Sequence, residues 1–421
     1  MVGAVADERL AGTPAGKEVT TLLNGMTLQR AATLPDEIKG WDRGGGPDSP
    51  GGFHLPEYPE IEKQLAAFWK ANQVSGPAPA DENLATTPSH HWFHYTDVPV
   101  GDGELYESGT AGRSKWDIVH MTDFCIKVLQ GKESDVNDRA ITKPVAIILL
   151  SHYLGDIHQP LHVGAEFFDK SGHPVNPDKV PESYGDQGGN TFFLMLKGAQ
   201  TSGGKRTTLH GFWDTPAALA ALDQIKKVML QKDPAHTGDF TTDEIAKYLA
   251  ANPAPGWEIP ASVPIDDVGK YLANDILPQA ALVHSRLKFE GVQVKSERGS
   301  ELASGFAREE SMPDGLSYTD WAGALVATEL DKGGCRLAYI LEKALASAPA
   351  APPEAAPSVT PASNNLAPAA VSDSAAPSAT PTPEASVAPA GSPEPFSIPP
   401  ADGSTPTPRP MDGMPVATPA P

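Results

Sequence analysis

The sequence predicts a mainly α, single helical domain with a small β hairpin, followed by a disordered tail. Three observations predict it. Apolar residues recur at helical spacing through most of residues 1–346, as a helix burying one face requires. Only residues 191–197, with the apolar run Phe192 to Leu196, read as a strand. From about Ala346 the composition changes: 20 of the 43 prolines lie in residues 349–421, with one basic residue, six acidic ones and one aromatic. Such a segment cannot bury a core, so 1–346 is expected to be the folded domain and 347–421 a Pro/Ala/Ser-rich tail.

The chain opens in a helix, since Val2, Val5, Ala6 and Leu10 fall near helical spacing. Helices follow at 18–23 and 27–39, and Gly44-Gly45-Gly46-Pro47 breaks the chain between Trp41 and Gly52. A short amphipathic helix is expected at 61–72 and an irregular loop at 86–102. Residues 116–130 place Ile118, Met121, Phe124, Cys125 and Val128 on one side, a core stripe. Residues 142–157 form a buried helix, and 164–189 are polar and turn-rich. The strand at 191–197 is expected to pair with a segment ending near Leu209. Helices then fill 216–231, 242–252, 266–289 and 320–345.

The formal charge is −21, of which −16 belongs to residues 1–346. So acidic a chain lacks the broad basic surface that holds duplex nucleic acid. A polyanionic substrate would need local metal charge. Two cysteines, Cys125 and Cys335, make no disulfide framework; one bridge or two free thiols both fit. No apolar run reaches membrane-span length, and the first residues carry no signal-peptide pattern.

The ligand-type residues concentrate in Ser151-His152-Tyr153-Leu154-Gly155-Asp156-Ile157-His158-Gln159-Pro160-Leu161-His162. His152 and Asp156 are four apart, on one helix face. Pro160 ends the helix, so His162 can turn back toward the same centre. Leu209-His210-Gly211-Phe212-Trp213-Asp214 repeats the His-x-x-x-Asp spacing, and His94 and Asp97 stand three apart among aromatics. Asp36 follows Pro35, where a helix N-cap role competes with ligation. Asp186-Gln187-Gly188-Gly189-Asn190 is a turn sequence before the strand. His54, His90 and His91 are expected to play surface roles. Imidazole and carboxylate donors of this kind suit zinc, and the chemistry they fit is metal-assisted hydrolysis. No Gly-x-Ser-x-Gly elbow or Walker loop competes.

Gly155-Asp156-Ile157-His158-Gln159-Pro160-Leu161-His162, Gly188-Gly189-Asn190 and Leu209-His210-Gly211-Phe212-Trp213-Asp214 resemble the signature of the zinc-dependent single-strand nucleases. These are the 3′-nucleotidases, or type I nucleases, of fungi, plants and bacteria. Pro35-Asp36-Glu37-Ile38-Lys39, His94-Tyr95-Thr96-Asp97 and Gly334-Cys335-Arg336-Leu337-Ala338 resemble the family's other motifs, in order. The resemblance implies a phospholipase C/nuclease-type fold holding three zinc ions. It implies that Asp36, His94, His152 and Asp156 hold one ion, that His162, His210 and Asp214 hold a second, and that Asp156 bridges to a third. It further implies a phosphate-steadying charge at Lys39, nucleobase binding at Tyr95 and Asp97, substrate binding at Asn190, and an orienting role behind the ligands for His158.

The implied activity is hydrolysis of RNA and single-stranded DNA to 5′-nucleotides by metal-activated hydroxide, with 3′-nucleotidase activity. The implied partners are single-stranded nucleic acid or nucleotides, the implied state a monomer, and the implied location secreted or periplasmic. The alternatives are a zinc phospholipase C and an inactive zinc-binding relic. The second arises because the family's third ion also takes an N-terminal tryptophan and a histidine five residues later, and neither is present. Residues 2–10 resemble the stretch just after that histidine, which points to ligands encoded upstream or to a truncated gene. Residues 167–184 depart from the shorter fungal loop.

Overall fold

A computed structural model describes residues 1–49, 52–74, 81–101, 103–197, 207–297 and 300–346. The tail expected from residue 347 lies outside the described residues. The chain is mainly helical: α1 (Val2–Leu10), α2 (Pro14–Leu22), α3 (Leu28–Ala31), α4 (Leu34–Glu37), α5 (Gly40–Gly44), α6 (Pro59–Ala71), α7 (Ile118–Leu129), α8 (Lys143–Asp156), α9 (Leu209–Phe212), α10 (Ala218–Lys232), α11 (Thr242–Ala251), α12 (Val268–Ser285) and α13 (Tyr318–Ala346). Threonine starts many of them: Thr13, Thr27, Thr142, Thr208 and Thr241 each accept a first-turn N–H. Each such cap contributes about 1 kcal/mol.

The axis of the fold is α8. Every residue from Val145 to Leu154 is buried. A helix apolar all round must be enclosed all round, and α3, α4, α6, α7 and α13 pack on it. Its last residue is Asp156; Pro160 then opens a 3₁₀ turn, Pro160–His162. The 29-residue α13 packs on α1, α10 and α8. Its crossing with α1 needs glycine, because a Cβ on Gly334 would stand 2.5 Å from the Val5 Cβ.

Three readings are corrected. The single helix expected at 27–39 is two short ones, α3 and α4, since Pro35 cannot donate to a continuing helix, and α5 runs into the expected glycine-rich break. The helix expected through residue 289 stops at Ser285, and Leu287 opens a β-ribbon with no counterpart in the sequence reading. The strand near Asn190 exists but takes a different main partner. In chain order the strands are β1 (Val98–Pro99), β2 (Gly164–Ala165), β3 (Phe167–Phe168), β4 (Tyr184–Gly185), β5 (Phe192–Met195), β6 (Leu287–Glu297) and β7 (Ser300–Glu309). β5 runs parallel to β7, with Phe192 opposite Gly305, and β6 and β7 are antiparallel. The expected pairing near Leu209 survives as one antiparallel bridge, Phe193 to Thr208. Parallel partners can be far apart in sequence, so nothing local announces them.

Two apolar cores result. One gathers side chains of α2 to α8, among them Leu23, Phe68, Ile126 and Ile148. The other joins Phe168, Phe192, Phe212, Trp213 and Ala303 around the sheet, α9 and α10. Cys125 and Cys335 are both buried and free. The ligand-type residues lie where the two cores meet: His152 and Asp156 end the helix of the first, while Leu161, Leu209 and Trp213 of the second flank His162, His210 and Asp214.

Candidate metal centre

Two triads of donor atoms converge. Asp36, His94 and His152 form one, and His162, His210 and Asp214 the other; within each, the ligand atoms lie within 4.8 Å of one another. Asp36 comes from α4, His94 from the 3₁₀ turn His90–His94, and His152 from α8. His162 ends the turn after α8, and His210 sits on α9. Asp214 rides a π-turn, Trp213–Ala217, that contains Pro216. Proline lacks the N–H that a regular helical turn would use there, and the widened turn presents Asp214 beside His210.

Asp156 stands between the triads. Its Oδ2 is 3.0 Å from His94 Nδ1 and 3.0 Å from His152 Nε2, and 4.0 Å from His162 Nδ1. His152 Nε2 is also 2.9 Å from His94 Nδ1 and 3.8 Å from Asp36 Oδ1. In the second triad His162 Nε2 is 3.9 Å from Asp214 Oδ1, and His210 Nε2 is 3.5 Å from Asp214 Oδ2.

The backbone sets the tautomers. His152 Nδ1 donates to the Ala32 carbonyl at 2.7 Å, His162 Nδ1 to that of His94 at 2.7 Å, and His210 Nδ1 to that of Gly188 at 2.9 Å. In each neutral ring the Nε2 lone pair then faces the centre, the arrangement that metal-binding histidines adopt. Gly188 is in the left-handed region, φ +56°, and a Cβ there would meet the Leu161 carbonyl oxygen at 2.1 Å. Glycine therefore places the carbonyl that steers His210. Gln159 Nε2 donates to Asp214 Oδ1 at 3.0 Å. Zinc–nitrogen bonds of ~2.0–2.1 Å put tetrahedral ligands about 3.3 Å apart. The separations here, 2.9 to 3.9 Å, bracket that value. The residues fit zinc.

Charge at the centre is settled by imidazoles. Burial opposes ionisation of Asp156, yet His152 and His162 hold its carboxyl well below the usual range. Asp36, whose side chain is mostly exposed, is lowered by His152 and Lys39 against partial desolvation, and Asp214 by His162 and His210. Burial presses His94 down to about 3. Despite burial, Asp156 and Asp214 carry His162 up to about 9.

A cleft of about 500 Å³ opens onto the centre, walled by Asp36, Lys39, Asp156, His162, His210 and Asp214 among others. Lys39 Nζ is 2.7 Å from Asp36 Oδ1. His158 is also a wall, but it bonds away from the donors: Nδ1 donates to the Leu154 carbonyl, and Nε2 accepts from Arg336 Nη1 at 3.0 Å. Tyr95, Asp97 and Asn190 are not among the walls. Exposed Asn190 donates to the Gln187 carbonyl. Tyr95 gives its hydroxyl to Glu82 at 2.8 Å. Burial, then Asp186 and Glu82, push Asp97 up to about 8. Burial likewise lifts Glu82 and Glu166 to about 7.

The sequence reading did not assign Gln159, Glu82 or the carbonyls of Ala32, His94 and Gly188. A carbonyl has no sequence signature; Gln159 could have been weighed, lying within the densest motif. Asp186, read as part of a turn, is fully buried and bonded to His284 Nε2 at 3.2 Å. His90, expected at the surface, is 2% exposed.

Comparison with known proteins agrees with the geometry. The sequence is 28% identical over 150 residues to Endonuclease 1 of Arabidopsis thaliana, covering 32% of this chain and 40% of that protein. It is 28% identical over 168 residues to Endonuclease 4 of Arabidopsis thaliana, covering 35% and 47%. The chain thus spans less than half the length of these curated relatives. The sequence profile of the S1/P1 nuclease family matches residues 1–346, and the chain belongs to that family.

Proposed function

We infer that this chain is a zinc-dependent phosphodiesterase that cleaves RNA and single-stranded DNA to 5′-nucleotides, with 3′-nucleotidase activity at the same site. The observation that carries the reading is the pair of triads joined through Asp156. Asp36, His94, His152 and Asp156 would hold one ion and His162, His210 and Asp214 another, with Asp156 shared toward the third that the family resemblance implies. Bound zinc supplies Lewis acidity there, activating water near neutral pH and neutralising charge on phosphate and leaving oxygen.

The chain's own residues do the rest. Carboxylates kept ionised by their imidazole neighbours retain the charge that divalent ions need. The carbonyl-bound Nδ1 atoms keep three Nε2 atoms aimed inward, so the rings are already oriented when a metal displaces the proton that His162 holds up to about pH 9. Lys39, at the cleft wall, offers a point charge to phosphate oxygens. The Tyr95 ring is a stacking platform, which accepts only an unpaired base. A protonated Asp97 donates to the edge of that base. His158 acts as a structural tie to Arg336 behind the cleft. A net charge of −21 suits a substrate drawn by local metal charge rather than by a basic surface. No helix among the described residues is long and apolar enough to cross a membrane, and we place the protein, as a monomer, outside the cytoplasm on family resemblance.

The test is turnover of zinc-loaded protein on single-stranded DNA, RNA, duplex DNA and a phosphocholine lipid. Single strands should yield 5′-phosphorylated products, and His152→Ala, checked for folding by circular dichroism, should lose that activity. Phosphocholine release without strand cleavage, or unchanged turnover in His152→Ala, would overturn the reading.

A further inference from the structure

A third set of donors lies outside the centre described above. Asp42 on α5 meets two histidines of the 3₁₀ turn His90–His94. Asp42 Oδ2 is 2.9 Å from His91 Nε2, and Asp42 Oδ1 is 3.5 Å from His90 Nε2. The two imidazoles lie with centroids 4.4 Å apart and an interplanar angle of 29°, and each turns its Nε2 toward Asp42. One ligand atom from each of the three residues falls within a sphere of 4.8 Å.

Two features separate this cluster from an ordinary surface ion pair. The first is the poor satisfaction of His90. The ring is 2% exposed, its Nδ1 has no hydrogen-bond partner among the described residues, and its Nε2 has only the long approach to Asp42. A buried imidazole so weakly bonded is costly unless something completes it. The second is the bracing of the carboxylate. Trp69 Nε1 donates to Asp42 Oδ1 at 2.8 Å and Gln73 Nε2 to the same oxygen at 3.1 Å. Both bonds fix the carboxylate's orientation and leave Oδ2 facing His91, as the supporting shell of a metal ligand does.

We propose that Asp42, His90 and His91 form a separate divalent-metal site, zinc first, that clamps α5 to the turn carrying His94. Two imidazole nitrogens and one carboxylate oxygen are a borderline donor set, right for zinc and poor for calcium or magnesium. One donor atom from each residue lies within 4.8 Å of the other two, close enough for small side-chain adjustments to reach the about 3.3 Å expected between zinc ligands. The His91 side chain is 48% exposed and that of Asp42 25%, so an ion reaches the site from solvent and water completes its coordination. α5 follows α4, which carries Asp36, and His90 and His91 lie one turn before His94. The clamp ties together the two segments that supply those donors.

The experiment counts metal and does not depend on turnover. Full-length protein is stripped with chelator, dialysed against zinc and assayed for zinc per chain by mass spectrometry. His91→Ala and Asp42→Asn should each hold one zinc fewer than the parent. A His152→Ala, His210→Ala background should keep the ion that His91→Ala then removes. Zinc-edge anomalous scattering from crystals of the parent should peak between the three side chains. Equal zinc content in parent and His91→Ala, with the parent fold intact by circular dichroism, or no anomalous peak there, reduces the cluster to an Asp42–His91 ion pair and overturns the proposal.

Discussion

Two neighbouring groups of carboxylates have opposite electrostatics. At the candidate metal centre Asp36, Asp156 and Asp214 are drawn below their ordinary range. A few residues away Asp97, Glu82 and Glu166 are lifted to between about 7 and about 8. Burial acts in the same direction on all six. Each lowered acid has imidazoles facing it, whereas the charges that act on Asp97 are mainly those of Asp186 and Glu82, and those that act on Glu82 are Asp117 and Asp81. Burial by itself therefore does not say what a carboxylate is for. Its partners decide whether it stays charged, as a metal ligand must, or carries a proton and donates.

The sharpest way to break the comparison is to remove the shared charge. Asp156→Asn should lower strand cleavage on the order of 10⁴-fold, ~5.5 kcal/mol of barrier, because both triads lose a common neighbour. Retention of more than a tenth of parental kcat/KM would mean that Asp156 does not link them. A smaller loss is expected from Gly188→Ala, which displaces the carbonyl that His210 Nδ1 donates to. Zinc affinity should fall by roughly 10–100-fold, as for other supporting groups. Titration with a competing chelator measures it, and parental affinity would show that His210 needs no brace.

On the other side, base binding, if Asp97 takes part in it as proposed, should follow the protonation of Asp97. Below about 8 its carboxyl is protonated and donates; above that it ionises. KM for a short single strand should therefore rise above pH 8 in the parent and stay flat in Asp97→Asn, with a change of about tenfold, one lost hydrogen bond. The same inflection in both proteins would exclude Asp97 as its source. The smallest effect is on stability. Asp97 and Glu82 titrate in the folded state well above the ordinary carboxylate range. The folded state thus holds more protons across that window, and stability from these groups is lost as pH rises through it. Asp97→Asn should melt a few degrees above the parent at alkaline pH and converge with it toward pH 4. A constant gap across pH would point to packing instead.

Much of the centre was legible because its spacing is local. His152 with Asp156, and His210 with Asp214, stand four apart on helical turns, and Pro160 marks where the chain turns back to His162. Asp36, after a proline, and His94, three residues from Asp97, lack that four-residue spacing, and only resemblance to other motifs assigned them to an ion. The π-turn that presents Asp214 was not anticipated beyond the presence of Pro216. His90 and His91 were set aside as surface residues because their partner, Asp42, lies far back in the chain.

By itself the sequence determined the helical class, the buried helix at 142–157 with its apolar run from Val145 to Leu150, and the donor residues clustered at its end. These follow from periodicity and residue type, which act over a few residues. Tertiary structure alone decided that β5 pairs with β7, that backbone carbonyls set the histidine tautomers, and which carboxylates keep their charge. Those outcomes depend on partners distant in the chain and on burial, and local sequence encodes neither.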